Sequence, residues 1–218
     1  MSYVYMKVLE SAPQRYERGM RLLTLGRIEQ VRLDVAARVR RGDQVMDLGC
    51  GSGALAVMLA KKGAVVTGID VAPQMLSLAA QRVREEGLED RVALKELGAV
   101  ELDTAFASDG FDAVVSTLVF SELSDDEIVY TLSECWRILR PGGLLLLADE
   151  VLPGSPLGQI ATLLFRLPFA IAAFVLTQNT THRVAGLEDR ISGAGFRIVD
   201  AKSYLMGTMK LFVAEEAA

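Results

Sequence analysis

An acid followed by alternating glycines, Asp47-Leu48-Gly49-Cys50-Gly51-Ser52-Gly53, closes an apolar run that begins at Val45. Glycines at 49, 51 and 53 permit a tight turn and let the backbone approach a flat, bulky ligand that a side chain would block. A helical pattern starts at Ala54, so the turn lies between a buried strand and a helix N-terminus, the setting in which nucleotides are held. The spacing Gly49-x-Gly51-x-x-Ala54 also satisfies the relaxed dinucleotide fingerprint. Asp47 separates the two readings. Its charge beside the turn repels a pyrophosphate and suits a cationic or zwitterionic ligand.

The flanking sequence supplies the elements that would hold this turn. Ile28, Val31, Val35 and Val39 recur at helical spacing, and the helix they predict ends near Arg41-Gly42-Asp43. Strands and helices then alternate: strand 44–48, helix 53–62, strand 64–70, helix 72–87 with Met75, Ala79 and Val83 inward, and strand 91–96. A fourth strand is predicted over 111–117 and a helix over 124–139, with Ile128, Leu132, Cys135 and Leu139 facing the core. Pro141-Gly142-Gly143 should break that helix and turn the chain into Leu144–Ala148, a strand apolar on both faces. A helix over 186–195 and a strand pair, 196–204 and 208–215, close the chain. The expected class is α/β, a three-layer Rossmann-like sandwich around a mostly parallel sheet. Its single domain divides into an N-terminal helical cap (1–43), a ligand-binding core (44–150), an apolar lid insert (151–186) and the closing elements (187–218).

Composition narrows the function classes. With 218 residues, 51% hydrophobic and 23% charged, the chain can bury a core without staples. A net charge of −5 argues against a nucleic-acid partner, because phosphate binding leaves a basic footprint. The two cysteines, Cys50 and Cys135, have neither metal-ligand nor disulfide spacing, so no metal is expected. Glu10, Arg15 and Glu17 interrupt any apolar signal core at the N-terminus, which points to a cytoplasmic enzyme.

Four motifs in order resemble those of class I S-adenosylmethionine-dependent methyltransferases. They are the glycine loop, the run Gly68-Ile69-Asp70 with its continuation Val71-Ala72-Pro73-Gln74-Met75-Leu76, the strand Phe111–Ser116, and Arg137-Ile138-Leu139-Arg140-Pro141-Gly142-Gly143. The donor that the resemblance implies carries an ammonium and a sulfonium and no phosphate, which agrees with the charge of Asp47. It leaves the reaction as S-adenosylhomocysteine. By the same resemblance Asp70, 17 residues beyond Gly53, accepts the ribose hydroxyls, while Val71 and Met75 flank the adenine. The implied cofactor set is Asp47, Gly49, Cys50, Gly51, Gly53, Asp70, Val71, Met75, Gly98, Ala99 and Ser116, with Tyr16 in an N-terminal segment folding over the donor. The implied sheet has seven strands, the last antiparallel.

One position departs from the pattern. After the third strand the family often carries an Asp-Ala pair whose acid accepts the adenine amino group; here Gly98-Ala99 stands in that place. The Ala99 amide could still reach the base, and the amino-group contact must come from backbone, water or Glu96.

A subgroup resemblance lies in Tyr3–Glu10, Arg15–Gly19, Phe120–Leu123, Ala148–Val151 and Leu176–Thr181, which are similar to small methyltransferases encoded with corrinoid proteins. The broader similarity is to the menaquinone and ubiquinone methyltransferases. The acceptor is therefore expected to be a hydrophobic small molecule or a corrinoid-protein centre. A non-catalytic S-adenosylmethionine-binding partner of a corrinoid protein and an NAD-dependent oxidoreductase are the alternatives.

Methyl transfer is a displacement that needs positioning and water exclusion, and a general base only where the acceptor loses a proton. The candidates are Glu150 at the end of the fifth strand, Glu122 after the fourth, and His182, the only histidine. The plainer readings are a solvated loop acid for Glu150, a helix-start role for Glu122 and a surface loop for His182. Residues 154–178 are apolar almost throughout, but Arg166 and Pro168 interrupt them, which disfavours a membrane span. Such a segment cannot all face water. It suits a lid over a hydrophobic acceptor, an interface with a partner or second copy, or contact with a membrane surface.

Overall fold

A computed structural model describes residues 24–151 and 184–217. Seven strands, β1 (Gln44–Leu48), β2 (Val65–Asp70), β3 (Val92–Glu96), β4 (Phe111–Thr117), β5 (Leu139–Glu150), β6 (Phe196–Tyr204) and β7 (Met209–Glu216), form one sheet. Their order is β3-β2-β1-β4-β5-β7-β6. The first five pair in parallel, and β7 runs antiparallel to both β5 and β6. The order reverses between β1 and β4, and in such sheets the crevice at the carboxyl ends of the reversing strands is where ligands bind.

Side chains of the central strands point alternately to two apolar layers. Val45, Val66, Ala113, Val115 and Leu146 pack under α1 (Arg27–Arg38), α2 (Ala54–Lys61) and α3 (Pro73–Glu85). Met46, Leu48, Val114, Leu145 and Leu147 pack under α4 (Leu102–Ala105), α5 (Asp125–Ile138) and α6 (Leu187–Gly193). Burial on both faces explains why β4 and β5 lack the alternation of a half-exposed strand.

Two local differences from the sequence expectation have clear causes. The Pro141-Gly142-Gly143 turn is absorbed into β5: Phe111 pairs with Leu139 and Ala113 with Leu144, so the surplus residues bulge out of the ladder. Gly142 takes φ 77, which lets the bulge form without breaking the strand. The start of α5 belongs to Ser124 and Glu127, not to Glu122. The Ser124 hydroxyl accepts from the Glu127 amide at 3.4 Å, and the Glu127 carboxylate accepts from the Ser124 amide at 2.8 Å. The apolar stretch 154–178, Tyr16 and His182 lie outside the described residues.

Candidate functional site

The glycine turn follows β1 at the switch point, and its three glycines all have left-handed backbone: φ 69 at Gly49, 53 at Gly51 and 72 at Gly53. Their surroundings divide them. A Cβ on Gly49 would lie 2.2 Å from Val119 Cγ2, and one on Gly53 would lie 2.8 Å from the Ala79 Cβ on α3. Those two positions are glycine because protein packs against them. At Gly51 the nearest atom is the Met75 methyl at 3.6 Å, an ordinary contact. Of the three, Gly51 is the one that protein does not crowd.

Asp70 ends β2 and is fastened to this turn. Its Oδ2 accepts from the Gly51 amide at 2.8 Å and its Oδ1 from the Ala72 amide at 2.9 Å. Burial raises its carboxyl above the usual range, and the Ala72, Gly51 and Val71 amides oppose the rise. Each carboxylate oxygen keeps a second lone pair, so a held Asp70 can still accept from a pair of hydroxyls. Val71, next in the chain, leaves 58% of its surface exposed, an apolar side chain set beside the turn.

Asp47 is buried within β1. Its Oδ2 has no hydrogen-bond partner among the described residues. Burial pushes the carboxyl up to about 7; the Arg32 charge and the Ala56 amide oppose the rise, and the Asp70 charge adds to it. A buried carboxylate oxygen without a donor is costly, and it suits a ligand that brings a positively charged donor. Sequence reasoning missed Arg32, whose place on α1 carries no motif. Cys50 is buried with its sulfur against Gly68, and burial raises its thiol far above the usual value, so it is packing and not a nucleophile.

Ser116, at the end of β4, is buried and donates to the Leu48 carbonyl at 3.2 Å, bracing β4 against β1 below the turn. Gly98 and Ala99 follow β3. The Gly98 amide donates to Glu101 Oε2 at 2.7 Å, and the Thr131 hydroxyl on α5 reaches the Ala99 carbonyl at 3.5 Å.

The carboxyl ends of β4 and β5 are tied by Asp149, next to the candidate Glu150. Asp149 is buried, its Oδ2 accepts from the Phe120 and Ser121 amides at 2.7 and 3.3 Å, and its Oδ1 accepts from the Glu150 amide at 2.7 Å. It fixes the short turn Phe120–Glu122, which carries the exposed Glu122, and it is followed in the chain by the half-buried Glu150. Both candidate acids thus lie at the carboxyl edge; His182 and Tyr16 are outside the described residues. No cluster of metal-ligating side chains occurs among the described residues.

The turn, the held Asp70 and the Asp47 Oδ2 that has no partner among the described residues fit the zwitterionic, phosphate-free donor that the motifs imply. Comparison with known proteins agrees. Residues 45–143 match a methyltransferase domain model. The chain is 42% identical over 132 residues to methyltransferase GfsG of Streptomyces halstedii, covering 60% of this chain and 44% of that protein. It is 36% identical over 165 residues to a demethylmenaquinone methyltransferase of Thermus thermophilus, covering 73% of this chain and 70% of the relative. The chain thus spans less than half of the first relative and most of the second. The fold matches a Burkholderia thailandensis 1,6-didemethyltoxoflavin-N1-methyltransferase solved with S-adenosylhomocysteine, at TM-score 0.68 and 19% identity, over 100% of this chain and 91% of that one. The chain belongs to the class I S-adenosylmethionine-dependent methyltransferases.

Proposed function

We propose that this protein transfers the methyl group of S-adenosylmethionine to a hydrophobic small-molecule acceptor. The observation that carries the donor half is Asp47 Oδ2, buried and without a partner among the described residues, beneath a turn locked to Asp70. S-adenosylmethionine supplies a methyl group on a sulfonium, open to in-line displacement. The chain's part is to bind, orient and exclude water. Asp47 offers its charge to an ammonium, Asp70 offers lone pairs to ribose hydroxyls, and Val71 offers an apolar wall to the base. For acceptors that must lose a proton, Glu122 and Glu150 at the carboxyl edge are the acids that would take it.

Two features support an apolar acceptor. Residues 154–178 are rich in large apolar side chains, as a lid over such a molecule would be. The rim facing the carboxyl edge is also apolar: Leu118, Leu205 and Met206 hold left-handed backbone there, and Met206 is 74% exposed. Backbone strain of this kind clusters at binding sites. The demethylmenaquinone methyltransferase relative makes a quinone ring the first acceptor to try.

Calorimetry with S-adenosylhomocysteine, followed by transfer of radiolabelled methyl to quinol acceptors and separately to a corrinoid protein, tests both halves. Label in an apolar small molecule supports the proposal; label only on the corrinoid protein moves the acceptor there; binding without transfer to either leaves a sensor. Asp70→Ala should weaken S-adenosylhomocysteine binding about tenfold, the scale of hydrogen bonds to a charged group. Unchanged affinity would remove Asp70 from the ribose.

A further inference from the structure

The third-strand motif lacks its acid, and the Glu101 carboxylate lies against the point from which that acid's side chain would start. A Cβ built on Gly98 would lie 3.0 Å from Glu101 Oε2 and 3.4 Å from Val71 Cγ1. An aspartate at position 98 would carry its carboxylate oxygens two bonds beyond that Cβ, so the two carboxylates would compete for the same neighbourhood. We infer that Glu101 accepts the adenine amino group of the bound donor, reaching back over one short turn to replace the missing side chain. The inference rests on the S-adenosylmethionine reading above.

Three observations position the carboxylate for this. The Gly98 amide donates to Oε2 at 2.7 Å and the Glu101 amide donates back to the Gly98 carbonyl at 3.1 Å, so the side chain is held by a closed local pair. One such bond leaves a carboxylate most of its acceptor sites. Val71, the exposed apolar side chain assigned to the base, touches the same point in space. A planar base lying on Val71 would have its edge within reach of Glu101. Finally, Ala99 is tethered through its carbonyl to Thr131, which steadies the loop that carries Gly98 and Glu101.

The plainer account is that Glu101 only caps the 3-10 turn Ala99–Glu101. Binding of two ligands to the whole protein separates the accounts: S-adenosylhomocysteine, and its 6-deamino analogue, in which hydrogen replaces the purine amino group. The wild-type chain should prefer S-adenosylhomocysteine about tenfold, as expected for a hydrogen bond to a charged acceptor. Glu101→Ala should abolish that preference while leaving affinity for the analogue within about twofold. Gly98→Asp should then restore the preference in the Glu101→Ala background, because Gly98 has φ −84, which any residue adopts. Gly98→Asp alone should weaken binding, since two carboxylates would share one space.

Equal loss of both ligands in Glu101→Ala, with no rescue by Gly98→Asp, would make Glu101 a cap and overturn the inference. If Glu101→Ala lowers the melting temperature sharply, Glu101→Gln serves instead. Its amide oxygen can keep the Gly98 bond, and an undiminished preference there would also overturn the inference. A wild-type chain that binds neither ligand would overturn the donor reading itself, whereas tight binding without preference between the ligands would remove only Glu101.

Discussion

Asp47 and Asp149 are the same residue type, both buried in strands of one mostly parallel sheet, and their surroundings give them opposite tasks. Burial raises both carboxyls, Asp47 to about 7 and Asp149 to about 6. At Asp149 three amides and the Ser121 hydroxyl oppose the rise, and both oxygens are occupied. At Asp47 only the Ala56 amide and the Arg32 charge oppose it, and one oxygen lacks a partner among the described residues. A buried carboxylate with its bonds complete is a brace. One with a bond outstanding is a receptor, and its environment keeps the cost until a ligand removes it.

The comparison breaks if the two residues respond alike to substitution. Asp149→Ala leaves the Phe120, Ser121 and Glu150 amides to find new partners, which should cost about 3 kcal/mol of stability. Urea unfolding at pH 8 checks this, and a loss below about 1 kcal/mol would mean that water satisfies those amides equally well. Asp47→Asn removes a charge that burial already disfavours, so stability at pH 8 should hold or rise. Its effect should appear in binding instead: S-adenosylhomocysteine affinity should fall about 30-fold, or about 2 kcal/mol, for the lost charge-assisted bond. If Asp47→Asn lowers stability by more than about 2 kcal/mol while the remaining folded protein keeps its affinity, Asp47 is the brace.

The same contrast marks what can be read in the sequence. The core strands are legible because Ala113–Val115 and Leu144–Leu147 run apolar without a break, which only burial on both faces tolerates. Asp47, Asp70 and the glycines are legible because chemistry ties them to a turn after a strand. What the sequence hides depends on three-dimensional meeting. Val119 occupies the space above Gly49, Asp149 reaches across from β5 to the turn after β4, and Glu101 folds back onto Gly98. None of these pairs has a spacing signature except the last, where the acid stands three positions after the helix-cap residue. The Pro141-Gly142-Gly143 turn misleads for a related reason: punctuating residues also build bulges when a neighbouring strand keeps pairing past them.

The pH dependence of binding gives the smallest expected effect and the finest test of the contrast. A carboxyl raised from the unfolded value near 3.8 to about 7 favours the folded state at pH values below 3.8, and that contribution is lost as pH rises through 7. Binding runs the other way. A cationic donor needs Asp47 ionised, so affinity for S-adenosylhomocysteine should rise on the order of tenfold from pH 5.5 to 7.5, with release of a proton on binding below pH 7. Calorimetry in two buffers of different ionisation enthalpy measures that proton directly. Asp70 faces the same turn and Asp149 titrates nearby in pH, so some slope should persist in any variant. Asp47→Asn isolates the share that belongs to Asp47: most of the slope and most of the released proton should vanish together. A slope that survives Asp47→Asn undiminished would transfer the titration to Asp70, and with it the role of the group that waits for the ligand's charge.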